Sequence, residues 1–168
     1  MEDRLKRSDK LSIESVEDID EMKLSIDFVR KCFEVKGNLS PMVIGTAEKG
    51  RYVVPFLHKD NNEKYILAKK IKEEFKKVGV TAIVVMTEAW MVKQKAGMID
   101  TSIRPSEHPL KQEIVMVNLL EKNKYESAII PIIRSEKEVI LGEPITSKQT
   151  GAELRDNLFG DYFKEAEK

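Results

Sequence analysis

The stretch Glu113–Ile133, EIVMVNLLEKNKYESAIIPII, decides the fold. Two runs within it, Glu113–Leu120 and Ser127–Ile133, are almost continuously apolar and rich in Ile and Val, which predicts two strands that are buried on both faces. The polar segment Glu121–Lys124 between them is too short for a crossover, so the two strands pair as an antiparallel hairpin. A sheet that is apolar on both sides needs a cover on each side.

Further strands lie on either side of this hairpin in the sequence. The run Val80–Met86 is again apolar and β-branched, and Glu138–Leu141 follows the turn-like segment Ser135–Lys137. Upstream, Met42–Ala47 and Arg51–Leu57 flank a short loop that contains Gly50, which predicts another hairpin. The second strand of that hairpin contains Pro55, which has no N–H to donate, so we expect that strand at an edge of the sheet or bulged.

Three segments have the periodicity of amphipathic helices. Ser12–Lys36 repeats apolar residues every three or four positions, with Ser15 and Asp18 as a capping pair and Gly37 as the stop. A second helix begins after Asn61 or Asn62 and runs to Val78, and its lysines and glutamates form a solvated face. Ala152–Ala166 is the third. The predicted order is α-ββ-α-ββββ-α, an α+β fold with one mixed, mostly antiparallel sheet of about six strands and helices packed on it.

Length and composition indicate one soluble domain. We expect residues 1–11, which carry both charges and no apolar core, to form a flexible tail, and residues 12–168 to form a single globular domain. Lys+Arg and Asp+Glu number 29 each, so no overall charge favours nucleic acid or membrane as a partner. The single cysteine, Cys32, excludes an internal disulfide, and no run of apolar residues is long enough to span a bilayer. We therefore expect a cytoplasmic protein.

The connection from Lys93 to Lys111 is unusually long for a compact domain. Its first half, residues 93–102, has few apolar anchors and is expected to be mobile. Its second half, Ile103–Pro109, places four polar side chains between and beside two prolines that stiffen the backbone. Long connections of this kind are either functional loops or plain surface loops. The candidate side chains in this one are Arg104, Ser106, Glu107 and His108.

Glu88 and Trp90 lie at the beginning of that connection. If the strand from Val80 continues, then Met86, Glu88 and Trp90 share one face. The carboxylate of Glu88 is then at the open end of the strand or partly buried, and Arg104 and His108 are the partners that we propose for it. Alternatively, the strand ends at Met86 or Thr87 and Glu88 is solvated. Trp90, the single tryptophan, is either a packing residue or a stacking surface for a ligand.

The sequence predicts neither a metal site nor a cofactor. His58, Asp60, Glu107 and His108 could supply nitrogen and oxygen ligands, but their spacing places no two of them on one face. A surface histidine at position 58 and a loop histidine at position 108 are the favoured explanation. Cys32 lies on the apolar stripe of the first helix, which indicates a buried thiol and not a nucleophile. The glycines form no phosphate-binding motif, and no GxSxG motif is present.

The tetrapeptide Thr87–Trp90, TEAW, followed by Arg104–Pro109, RPSEHP, resembles a signature of small bacterial and phage proteins of unknown function. Lys111 and Glu113 fill, at loose spacing, the basic and acidic places that follow the proline in that group. The resemblance spans about residues 80–120. It implies one constellation of Glu88, Trp90, Ser106, Glu107 and His108, and it implies no activity.

Three functions therefore remain open. The first is a binding module that holds a ligand or a partner at the Glu88, Trp90 and His108 region without catalysis. The second is a hydrolase that uses Glu88 or Glu107 with His108, with or without a metal ion. The third is an assembly protein. A recognisable nucleophile or metal motif is missing, so the sequence favours binding or assembly over catalysis.

The apolar sheet also predicts self-association as a homodimer. If the two long helices cover the same face, the other face is left bare, and a second copy is the simplest cover for such a patch. If the first helix crosses to the opposite face, a three-layer monomer results instead.

Overall fold

In the part of the chain that the structure describes, a seven-stranded sheet lies between two helices. The computed structural model describes residues 20–92, 102–150 and 158–163. In chain order the elements are α1 Glu21–Lys36, β1 Met42–Ala47, β2 Gly50–Pro55, α2 Asn61–Val78, β3 Ala82–Val92, a 3₁₀ turn Pro105–Glu107, β4 Lys111–Glu121, β5 Lys124–Arg134, β6 Val139–Leu141, β7 Ile145–Thr150 and a second 3₁₀ turn Gly160–Tyr162.

The strands lie in the order β2-β1-β3-β4-β5-β6, and β7 also pairs with β5. Every pairing among the described strands is antiparallel. The α+β class and the predicted order as far as β6 are confirmed. Pro55 lies at the end of β2, which is an edge strand as expected.

The seventh strand, β7, was missed because its sequence, ITSKQT, is polar and lacks apolar alternation. It pairs with β5 beyond the point where β6 ends. Leu141 pairs with Ile132 and Ile145 pairs with Ile129, so three residues of the β6–β7 segment lie opposite two residues of β5. This is a β-bulge at residues 142–144. Of the predicted helix Ala152–Ala166, the described part, residues 158–163, contains only turns and the 3₁₀ turn Gly160–Tyr162, and the remainder lies outside the described residues.

Both long helices begin at an aspartate and end at a glycine. Asp20 caps α1 by accepting from the Lys23 N–H, and Asp60 caps α2 by accepting from the Glu63 N–H. The predicted caps Asn61 or Asn62 were therefore one or two residues late. Residues 12–19, with Ser15 and Asp18, lie outside the described residues, as does the predicted tail. Gly37 and Gly79 end the helices with left-handed φ angles of 73° and 76°, as predicted.

The helices cover opposite faces of the sheet. Met22, Val29 and Phe33 of α1 pack on one face against Val84, Met86 and other buried residues of β3, β4 and β5. On the other face, α2 packs through Ile71 and Phe75 against β1 and β3. Phe159 and Tyr162 of residues 158–163, which we call the C-terminal turn, pack there as well. Ile83 and Val84, neighbours on β3, are both fully buried because each face of the strand has its own cover. The alternative of a three-layer arrangement is thus the observed one, and the expectation that both helices share a face is wrong.

Neither described helix is long and apolar enough to cross a lipid bilayer.

Gly45 lets α2 approach the sheet. A Cβ atom built at this position would lie 2.8 Å from Cζ of Phe75 and 2.9 Å from Cγ2 of Val80. We expect Gly45→Ala to cost about 1–3 kcal/mol of the free energy of unfolding, because the ring of Phe75 is fully buried and has little room to move. Urea denaturation measures the change.

The neighbouring residue provides the control for this prediction. Thr46 faces the opposite side of β1, and its buried hydroxyl has no hydrogen-bond partner among the described residues. Thr46→Val should leave stability unchanged or raise it, because a polar group without a partner is removed. Equal losses in the two variants would contradict the proposed role of Gly45.

The buried hydroxyl of Tyr162 makes the free energy of unfolding depend on pH. Its hydroxyl donates to the Val80 carbonyl at 2.6 Å, and burial raises its pKa above the usual value of about 10. The folded state therefore holds this proton more tightly than the unfolded state. The resulting stabilisation is complete below about pH 10 and is lost as the pH rises through the folded-state pKa. Tyr162→Phe should lose about 1 kcal/mol at pH 7. The difference from wild type should shrink above pH 10, and a difference that is constant from pH 7 to 11 would contradict this.

Candidate functional site

The strand β3 continues to Val92, well past Met86, so Glu88 and Trp90 are strand residues. Both lie on the face that α1 covers, because they alternate with Met86 and Val84. The alternative in which the strand ends at Met86 or Thr87 and Glu88 is simply solvated is therefore wrong. Glu88 lies opposite Val115, and Trp90 lies opposite Glu113 on β4.

The carboxylate of Glu88 joins three parts of the chain. Its Oε2 accepts from the backbone N–H of Leu39 at 2.9 Å, in the segment between α1 and β1. Its Oε1 lies 3.4 Å from Nη2 of Arg134, at the end of β5. The side chain of Glu88 keeps 28% of its surface exposed, so this contact lies at the rim of the core. The expected partners, Arg104 and His108, were the wrong ones.

Arg134 bridges two carboxylates. Its Nε donates to Oε2 of Glu113 at 2.6 Å, while Nη2 faces Glu88. The hydrogen bond to Glu113 is the main reason that the pKa of Arg134 is raised above its ordinary value. One guanidinium therefore holds acidic side chains from β3 and β4 in fixed positions on the sheet.

Trp90 lies under a second cation. Nζ of Lys111 is 4.9 Å from the centre of the indole ring and also donates to the Ser106 carbonyl at 3.0 Å. A lysine over an aromatic ring is attracted to its electron-rich face. Trp90 nevertheless keeps 40% of its surface exposed, and Leu110 beside Lys111 keeps 57%. The ring is thus held in place and remains accessible.

The loop residues from the sequence prediction divide into two groups. Ser106 reaches the site only through its carbonyl, which accepts from Lys111. Among the described residues, the hydrogen bonds of Arg104, Glu107 and His108 stay within residues 104–111. The side chains of Arg104, Ser106 and Glu107 are exposed. Of residues 93–102, where mobility was expected, residues 93–101 lie outside the described residues.

His108 is buried, with 7% of its surface exposed. Its Nδ1 accepts from the Leu110 N–H at 3.0 Å, which places the proton of the neutral ring on Nε2. The carbonyl of His108 accepts from the Lys111 N–H at 3.1 Å. His108 therefore shapes the turn that leads into β4, which gives this residue a structural use that the sequence did not indicate.

A second charged cluster lies near the other end of the same face. Glu126 of β5 is almost fully buried, and its Oε1 lies 2.9 Å from Nζ of Lys124 and 4.0 Å from Nζ of Lys148. The hydrogen bond to Glu126 is the main cause of the raised pKa of Lys124. The two lysines offset the cost of burying this carboxylate, so it needs no ligand to explain it.

Potential metal ligands are scattered over the molecule. Within residues 20–92, 102–150 and 158–163, no group of three or more His, Cys, Asp or Glu side chains is placed to hold a metal ion. His58 contacts the ring of Phe56, and Asp60 caps α2. Cys32 is partly buried and packs at the border of the α1 core, in keeping with a structural thiol.

Removal of the Glu88 carboxylate tests its role at the rim. Glu88→Ala should cost about 1–3 kcal/mol of the free energy of unfolding, because the N–H of the buried Leu39 loses its acceptor. Glu88→Gln retains an acceptor oxygen and should cost less. Urea denaturation of both variants, with Glu107→Ala as the exposed control, measures this. A loss in Glu107→Ala as large as in Glu88→Ala would contradict the assignment.

Comparison with known proteins identifies the family to which the chain belongs. No curated protein and no solved structure matches the chain. Residues 6–154, most of the chain and all of the region just described, match the family described as Bacteriophage lambda protein ea47. The likeness to phage proteins is thereby confirmed, while the TEAW and RPSEHP signature stays a prediction. The description of the family names no activity, substrate or partner. The chain belongs to the family of Bacteriophage lambda protein ea47.

Proposed function

We propose that the chain is a binding module without catalysis that contacts a protein partner through Trp90 and its surroundings. The observation that carries the proposal is the state of Trp90, which is fixed between β3 and Lys111 and keeps 40% of its surface exposed. Tryptophan is enriched among the residues that dominate binding energy at protein interfaces. A ring already held in one orientation loses little conformational entropy when a partner covers it.

The surroundings of Trp90 support contact with a protein. Leu110 adds an exposed apolar side chain, and Ile103 adds another in the same returning segment. Arg104, Lys111 and Arg134 supply exposed positive charge around them. An apolar centre with a charged rim is the usual composition of a protein interface.

The hydrolase alternative receives less support from the same side chains. Glu88 already bonds to Leu39 and faces Arg134, and Nδ1 of His108 already accepts from Leu110. A general acid or base has to reach a substrate with its polar atoms. Both groups instead stabilise the chain around the site.

Photo-crosslinking in the cells that naturally produce the chain tests the proposal. A photoreactive phenylalanine analogue at Leu110, 57% exposed and next to Lys111, should give a discrete adduct that mass spectrometry identifies. The matched control is the same analogue at Tyr65 on α2, which is 59% exposed and far from the site in sequence. We expect the adduct at 110 to disappear in a Trp90→Ala background that retains its circular dichroism spectrum.

Each outcome of this experiment has a definite meaning. An adduct between two copies of the chain would support the predicted homodimer, and one with another protein would identify a different partner. Equal adducts at positions 110 and 65, no adduct at 110, or an adduct that persists in Trp90→Ala would overturn the proposal.

A further inference from the structure

A cleft of about 370 Å³ lies between α2 and the C-terminal turn, on the face of the sheet opposite Trp90. Three lysines of the helix line it, Lys69, Lys72 and Lys76, at positions i, i+3 and i+7, together with Glu73 of the same helix. The whole chain has no net charge, but α2 has six lysines against three glutamates. The helix therefore carries a net positive charge, and in the lining of the cleft three lysines outnumber the two carboxylates of Glu73 and Asp161.

The opposite wall holds two of these ammonium groups in place. Nζ of Lys72 lies 2.9 Å from Oδ1 of Asp161, and only 19% of the Lys72 side chain is exposed. Nζ of Lys76 lies 5.5 Å from the centre of the Tyr162 ring. Tyr162 is itself fastened to the sheet through its hydrogen bond to Val80. A simple solvated lysine face, which the sequence indicated for this helix, does not account for a lysine this deeply enclosed.

We propose that this cleft binds a compact phosphate-bearing anion, such as a pyrophosphate or the polyphosphate of a nucleotide. Lysine ammonium groups bind phosphate oxygens as point charges. The volume of the cleft is at the lower end of the range for small-molecule sites. Asp161 is paired with Lys72, and a bound phosphate takes the place of this carboxylate.

Calorimetric titration of the full chain with inorganic pyrophosphate at low ionic strength tests the site. Lys72→Gln combined with Lys76→Gln should weaken binding about tenfold or more, because hydrogen bonds to charged groups are lost. The control, Lys70→Gln combined with Lys77→Gln, removes the same charge from the same helix outside the cleft and should bind as wild type does. Asp161→Asn should tighten binding severalfold, since it removes the competitor for Lys72.

Titration with ATP in place of pyrophosphate separates the two sources of phosphate. Tighter binding of ATP would assign the cleft to a nucleotide, and equal binding would assign it to an inorganic polyphosphate. The proposal fails if neither ligand binds wild type, if both lysine pairs weaken binding equally, or if Asp161→Asn weakens it. Binding of double-stranded DNA with equal losses in both lysine pairs would also overturn it, because that result reports the charge of the helix and not the cleft.

Discussion

The double-sided burial of β3 and β4 is the constraint on which the rest of the structure depends. Ile83 and Val84 are neighbours in sequence and point to opposite faces, yet both are removed from solvent. A strand with this pattern is stable only between two covers. The chain meets this requirement with α1 on one side and α2 on the other, and the C-terminal turn adds to the cover on the α2 face.

The candidate site lies where β3 and β4 extend beyond α1. β3 and β4 are each 11 residues long, and their far ends extend beyond the part of the sheet that α1 buries. On the α1 face the side chains accordingly change from Val84 and Met86 to Glu88 and Trp90. Arg134 of β5 pairs there with Glu88 of β3 and Glu113 of β4. Glu88 also accepts a hydrogen bond from the segment that follows α1. The same contacts thus stabilise the rim of the core and leave the indole ring accessible.

The sequence predicted what depends on local pattern and missed what depends on register. Helix ends at glycine, the first hairpin and the buried strands all follow from periodicity and turn chemistry. Local pattern did not predict the partner of Glu88. Arg134 lies 46 residues from Glu88 in sequence, whereas Arg104 and His108 are much nearer to it in sequence. One signal could have found it. The two-residue turn at Lys122–Asn123, with Asn123 at a φ of 61°, fixes the register of β4 and β5. Counting along the hairpin places Arg134 opposite Lys111, and therefore diagonal to Glu113 on the same face of the sheet.

The same fold changes the reasoning about self-association. The argument from sequence required one bare face of the sheet, and that premise is gone because α1 and α2 lie on opposite faces. The edges do not favour pairing between copies either. β2 ends in Pro55, and the β6–β7 edge contains a bulge and the exposed Lys148, which are features that hinder the addition of a strand. The homodimer stays a prediction, and contact through side chains such as Trp90 is the route to it that this architecture leaves most open.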